Sequence, residues 1–170
     1  MLKHIVFTFI GEDKPGLIQR LADVISRHNG NWLESNMSQL AGKFAGIVLI
    51  AVDDSASDEL CASLQALKSE GLQIVTETTE NATTAGLMEL KINIMGPDRP
   101  GIVKSVTQAL KANNINVKDM ESRITSAAMS GDPMFESDVT IQVVDQVDID
   151  ALIVEFNEIS LALGIDIELV

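Results

Sequence analysis

At 170 residues with a formal net charge of −13, the chain has room for one or two small domains and is ill suited to gripping a nucleic-acid backbone or an anionic membrane. Hydrophobic residues make up 46% and charged residues 22%, a globular balance that excludes a disordered chain. In chain order, His4 to Ile10 is short, apolar and rich in β-formers, and predicts a strand. Pro15 then offers a preset φ suited to the first turn of a helix. Leu17, Leu21, Val24, Ile25 and His28 follow at helical spacing, with a stop at Asn29-Gly30, where Asn29 reads as the C-cap. Asn31 to Leu40 and Lys43 to Val52 read as strands joined by an Ala41-Gly42 turn. Asp53-Asp54-Ser55 supplies an N-cap for a second helix through Leu60, Leu64 and Leu67, stopped at Gly71. Leu72 to Thr78 closes the set as a last strand.

The same order then repeats. Gly11-Glu12-Asp13-Lys14-Pro15-Gly16-Leu17 returns as Gly96-Pro97-Asp98-Arg99-Pro100-Gly101-Ile102, 85 residues further on. Apolar positions recur in register around it, and Asn29-Gly30-Asn31 returns as Asn114-Ile115-Asn116. Copy two predicts a strand over Leu87 to Met95, a helix over Pro100 to Asn113, strands over Ile115 to Ala128 and Phe135 to Val144, a helix over Ile149 to Leu163 and a strand over Ile165 to Val170. The polar stretch from Thr79 to Gly86 reads as a linker. The expected organisation is a module over residues 1–79, a linker over 80–86 and a second module over 87–170. The fold class is α+β, two ferredoxin-like βαββαβ modules with antiparallel sheets and both helices on one face. Modules this small are marginal alone, so a shared interface is also expected.

The repeated loop carries the chemistry. Gly11 and Gly96 are expected to let the chain turn sharply, and Gly16 and Gly101 to let a ligand approach the backbone. The first N–H groups of each helix, on Gly16 and Leu17 and on Gly101 and Ile102, lack intrahelical partners and suit a carboxylate. Asp13 and Asp98 stand beside them; each can accept from a ligand ammonium or cap its own helix. Asn31 and Asn116 start the second strand, away from the N-terminus of their own first helix, so they would reach an opposite module's loop more readily than their own. Their amides suit a zwitterion but serve equally as turn residues.

Other chemistry is sparse. His4 and His28 sit in a strand and on an apolar helical stripe, both better read as structural. No Cys–His cluster has metal spacing, no nucleophile turn or phosphate loop appears, and Asp53-Asp54 and Asp145 to Asp150 read as helix-start caps. Cys61 reads as a buried apolar thiol. Met88, Met95, Met120, Met129 and Met134, concentrated in copy two, read first as core filling, with an adaptable partner surface around Met129 to Met134 as the second reading. No catalytic residue, metal or cofactor is expected. The N-terminus lacks a signal peptide's basic start and apolar run, and no stretch reaches transmembrane length, so a cytoplasmic location without membrane contact is expected.

The D-x-P-G loop between first strand and first helix, within βαββαβ order and present twice, resembles the ACT domain, a regulatory module that binds amino acids. A tandem pair of this length is similar to the glycine cleavage system transcriptional repressor family. That resemblance implies a repressor that touches no DNA, contacts a transcriptional activator protein and responds to a small amino acid, glycine. It implies ligand contacts at Asp13, Gly16, Leu17 and Asn31, and at Asp98, Gly101, Ile102 and Asn116, near the interface of paired modules, with a homo-oligomer as a possible assembly. Copy two departs by carrying Pro97 for Glu12 and Ile115 for Gly30, so copy one is the expected working site. The alternative is an amino-acid-responsive regulatory subunit or interaction module of a metabolic enzyme.

Overall fold

The computed structural model describes residues 1–80, 87–144 and 146–170. The expected linker falls largely on residues 81–86, outside the described residues, as does Asp145. The chain divides into two compact units, Met1–Thr83 and Thr84–Val170. Module one runs β1 (Leu2–Glu12), α1 (Leu17–Arg27), β2 (Asn31–Leu40), β3 (Lys43–Asp53), α2 (Asp54–Ala66), a 3-10 turn (Leu67–Glu70) and β4 (Gln73–Thr79). Module two runs β5 (Leu87–Pro97), α3 (Ile102–Ala112), β6 (Asn116–Ser126), β7 (Pro133–Val144), α4 (Ile149–Leu163) and β8 (Asp166–Leu169). Each is a four-stranded antiparallel sheet, ordered β2-β3-β1-β4 and β6-β7-β5-β8, so the expected α+β class and ferredoxin-like βαββαβ topology hold in both.

Alternation along the central strands sets the core. Ile5, Phe7 and Phe9 of β1 and Val48, Ile50 and Val52 of β3 turn to one face and are buried. Leu21, Val24 and Ile25 of α1 and Leu60 and Leu64 of α2 close over that face, so both helices share it. Module two repeats the scheme with Ile92 and Ile94, Val139 and Ile141, Val106 and Leu110, and Leu152 and Phe156. Cys61 is half-buried against the first core, and His28 Nε2 shares a 3.0 Å hydrogen bond with Ser63 Oγ between α1 and α2, a structural use of the imidazole.

The helix ends correct several expectations by a residue or two. The C-caps are His28 and Asn113; Asn29 and Asn114, both at φ 54, are the left-handed residues that follow. Gly30 and Ile115 then donate back to the Ile25 and Leu110 carbonyls at 2.9 Å, and Asn29 and Asn114 to those of Ser26 and Lys111. This reverse-turn lock works with Gly or Ile at its last position, because only the asparagine needs a positive φ. Asp53 and Asp148 do cap α2 and α4, accepting from the Ser55 and Ala151 amides.

The methionines are a clearer departure from core filling. Met88 and Met95 are exposed, and Met129 fully so, while Met120 packs against the core. Met95 stands on the outward face of β5, beside Asp166 and Glu136 in register, and Met129 lies in the connection from β6 to β7, which no helix covers.

Candidate functional site

Where β1 meets α1, the backbone does the positioning. Gly11 is not the point of a sharp turn: it lies inside β1, opposite Phe44, and is buried. A Cβ there would come within 2.8 Å of Leu72 Cδ2, and one on Gly96 within 2.5 Å of Ile165 Cγ2. These glycines are needed because the segment entering the last strand crosses directly over them. Pro15 does not start the helix either. It lies in the turn before Gly16, which is the N-cap at φ 87, with helical residues from Leu17 onward. Gly101 does the same for α3 at φ 99. A positive φ is what glycine supplies here, and it forbids an ordinary side chain without strain.

Neither helix start has a side-chain cap, so Asp13 and Asp98 do not use their carboxylates on their own helices. Both aspartates are exposed, and their amides are tied to the adjacent hairpin: Asp13 N donates to Gly42 O at 3.1 Å, and Asp98 N to Pro133 O at 2.9 Å. The hairpin holds the loop from below. In module one it is a two-residue turn with Ala41 at φ 49 and Gly42 at φ 76, both left-handed as this tight connection requires.

This arrangement opens a cleft of about 560 Å³ in module one, lined by Glu12, Lys14, Gly16, Arg20, Lys43 and Glu70 together with nearby apolar and backbone atoms. Of the residues expected from sequence, Gly16 and Leu17 line it, Asp13 lies next to its lining, and Asn31 is not part of it. Asn31 pairs with Ala51 while Glu12 pairs with Lys43, which puts the asparagine at the opposite end of the sheet. Asn116, opposite Gln142, is likewise remote from Pro97, opposite Met134. In module two, Gly101 is exposed at its helix start, while Ile102 is buried in the core.

Three charged residues at the cleft, Arg20, Lys43 and Glu70, lie outside the repeated loop, and Lys14, within it, is not among the residues expected at the site. Lys14 Nζ lies 2.8 Å from Glu12 Oε2, Arg20 pairs with Glu70 across the cleft, and Lys43 contributes a third cation. Each stands near a predicted landmark: Lys14 inside the repeated motif, Arg20 four residues after Gly16, Lys43 just after the Ala41-Gly42 turn, Glu70 just before Gly71. Strand order is what gathers them. The Gly16 amide donates to no atom of the described residues, and that of Leu17 makes only a long 3.4 Å turn contact with the Lys14 carbonyl. Donors at the positive end of a helix, beside lysine and arginine, suit a carboxylate, and Glu12 suits an ammonium.

The hydrogen bond and charge of Lys14, with Lys43 behind it, hold the Glu12 carboxyl below its ordinary value, and Glu12 in turn raises Lys14. Because the folded-state value of Glu12 is lowered, its pairing contributes stability that is present above the unfolded carboxylate value and lost as pH falls through the depressed folded one. Lys14→Gln is expected to move the Glu12 titration midpoint up toward that of a free glutamate. Side-chain carboxyl NMR shifts across an acid titration check this.

The two modules match the ACT domain model over residues 3–77 and 91–156, and the chain belongs to the ACT domain family. Among solved structures it is similar over 99% of its length to an unknown protein from Galdieria sulphuraria (98% of that chain, 22% identity, TM-score 0.89). It is also similar over its full length to a protein named as a candidate glycine cleavage system transcriptional repressor (97% of that chain, 18% identity, TM-score 0.71). At these identities both show the fold. A UPF0237 protein of Methanococcus maripaludis is 28% identical over 71 residues, 41% of this chain and 79% of that protein. No described helix is long and apolar enough to cross a membrane, and no described group of His, Cys, Asp and Glu is arranged to hold a metal ion.

Proposed function

We propose that this chain is a non-catalytic, amino-acid-sensing regulator of the cytoplasm that represses the glycine cleavage system by contact with a transcriptional activator protein, without binding DNA itself. Its ligand is a small amino acid, glycine by the resemblance, held at the start of α1 by the Gly16 and Leu17 amides, with Asp13 close by. The observation that carries the reading is the unpartnered Gly16 amide opening onto a charged cleft in a family of amino-acid-binding modules. The net charge of −13 supports protein contact over DNA contact, and the neighbour named for glycine cleavage repression supports the system regulated.

Titration calorimetry with free amino acids tests the sensing step, and absence of heat with every amino acid at millimolar concentration would end this reading. Heat is the better signal, since Trp32 stands edge-on to Phe7 at a centroid distance of 6.5 Å, far along the sheet from the cleft. A pull-down tests the partner: recovery of a transcriptional activator supports the repressor, and recovery of a metabolic enzyme in its place makes the chain a regulatory subunit.

Gly16→Val gives a sharper check. No atom lies within 4 Å of the added Cβ, so the cost is backbone strain from φ 87, roughly 1–2 kcal/mol. The variant is expected to fold, melt slightly lower and bind its amino acid more weakly. Gly16→Asn, which tolerates the left-handed region better, separates strain from obstruction. Unchanged affinity in a folded Gly16→Val protein places the site elsewhere.

A further inference from the structure

After Arg123 the sequence holds ten Asp and Glu side chains and neither Lys nor Arg. That stretch ends in α4 and β8, which together form one edge of module two. β8 pairs with β5 alone among the described residues. Lys91 and Val170 exchange both backbone bonds, at 3.1 and 2.7 Å, so by antiparallel alternation the Ile167 and Leu169 amides and carbonyls point away from β5. Such an edge can pair with one further strand.

The two faces of that edge differ in chemistry. On the helix side, Ile153, Phe156 and Asn157 of α4 line a groove with Ile167 and Leu169 of β8. Ile153 is exposed there, and Leu161, four residues past Asn157 on the same helix row, is 87% exposed. On the other face Asp166 and Glu168 are exposed and form no ion pair among the described residues. Behind them Arg123 is shared by Glu136 and Asp138, and Lys118 is matched by Glu89. Lys91 then stands against Glu121, Asp166 and Glu168, so this face stays negative. Module one does not present the same edge. Thr76 stands opposite Phe7 where Leu169 stands opposite Ile92, and Gln65 of α2 donates to the Thr76 hydroxyl at 3.2 Å.

We propose that the β8 edge docks an extended segment of a protein partner in which apolar residues alternate with Lys or Arg. The inference rests on the reading of the chain as a regulator that acts by protein contact, and names a surface for it. Side chains of an added strand alternate between faces. One set enters the groove against Ile153, Ile167 and Leu169, and the other stands beside Asp166 and Glu168. Opposite charges across a strand pair stabilise it and like charges oppose it. A second copy of this chain is a poor occupant for that reason, since antiparallel pairing about Ile167 sets Asp166 of each copy against Glu168 of the other.

Fluorescence anisotropy with short labelled peptides tests this on the intact chain. One peptide alternates valine and lysine, one alternates valine and glutamate, and one carries the first composition in two blocks. The alternating lysine peptide is expected to bind at least about tenfold more tightly than either of the others. It should also slow hydrogen exchange at the Ile167 and Leu169 amides. Asp166→Lys with Glu168→Lys, both at exposed positions, is expected to reverse the preference between the lysine and glutamate peptides while the circular dichroism spectrum stays unchanged. If that chain unfolds, Asp166→Asn with Glu168→Gln carries the test and should lower the preference for lysine by about tenfold. Equal binding of the block peptide, a preference unmoved by the substitutions, protection only at other amides, or no binding overturns the docking edge. Recovery of an activator by the intact chain would then leave the regulator reading in place. Peptide binding as expected, with no activator recovered, keeps the edge and overturns the activator contact.

Discussion

Gly96→Ala is expected to destabilise module two by about 3 kcal/mol, a large effect for the smallest possible side chain. The added Cβ would lie 2.5 Å from Ile165 Cγ2, 2.7 Å from its Cβ and 2.8 Å from its Cα. Ile165 has little freedom to retreat, being buried in the second core and donating its amide to the Ser160 carbonyl at 3.2 Å. The equivalent change in module one, Gly11→Ala, meets the end of the Leu72 side chain at 2.8 Å and the Gly71 carbonyl oxygen at 3.3 Å, with no backbone atom under 3.0 Å, and is expected to cost less. Urea unfolding followed by circular dichroism measures the difference. Trp32, the only tryptophan, lies in module one, so its emission follows that module's transition while circular dichroism follows both. Equal losses in the two glycine variants would mean that the crossing segments yield alike.

Phe7→Ala is expected to cost about 4 kcal/mol in module one, the usual range for deleting a buried aromatic ring. Phe7 is fully buried on the central strand β1, with β3 on one side and β4 on the other, and meets Trp32 edge-on. The loss combines transfer of the ring with a cavity that strands paired on both sides cannot collapse to fill. Trp32 emission should shift to the red and its unfolding midpoint should fall. Phe7→Leu, which fills much of the volume, should recover most of the loss.

The elements were legible because two periodicities run cleanly through this chain. Alternation at Ile5, Phe7 and Phe9 and helical spacing at Leu21, Val24 and Ile25 survive unchanged into the two faces of the first core. The Ala41-Gly42 turn and the Asp53 cap were readable for the same reason, since each rests on a few neighbouring residues. Roles that depend on distant chain were not. That Gly11 serves to admit Leu72 requires knowing that the entry to β4 crosses the end of β1. Lys43 and Glu70 reach the loop only because β3 and β4 flank β1, which no local spacing reveals. Asn31 shows the reverse case: its place at the far end of the sheet from its own loop follows from the element order, and the register has it there. The methionines misled because hydrophobicity was read without a face to assign it to.

Functionally, the duplicated loop marks two helix starts of one geometry, each opened by a left-handed glycine. A sensor of this design needs no catalytic group. It needs donors fixed in space before the ligand arrives, which the left-handed N-cap glycine and the hairpin beneath the loop provide in both copies. What differs is the side chains that the neighbouring strands contribute.

The most direct measurement is a proton–nitrogen NMR titration of the intact chain with free amino acids. The amide resonances of Gly16 and Leu17 should move first and saturably, while those of Asn31 and Trp32 at the other end of the sheet move little. Saturable shifts confined to residues away from the start of α1, or no shifts with any amino acid, would contradict the site.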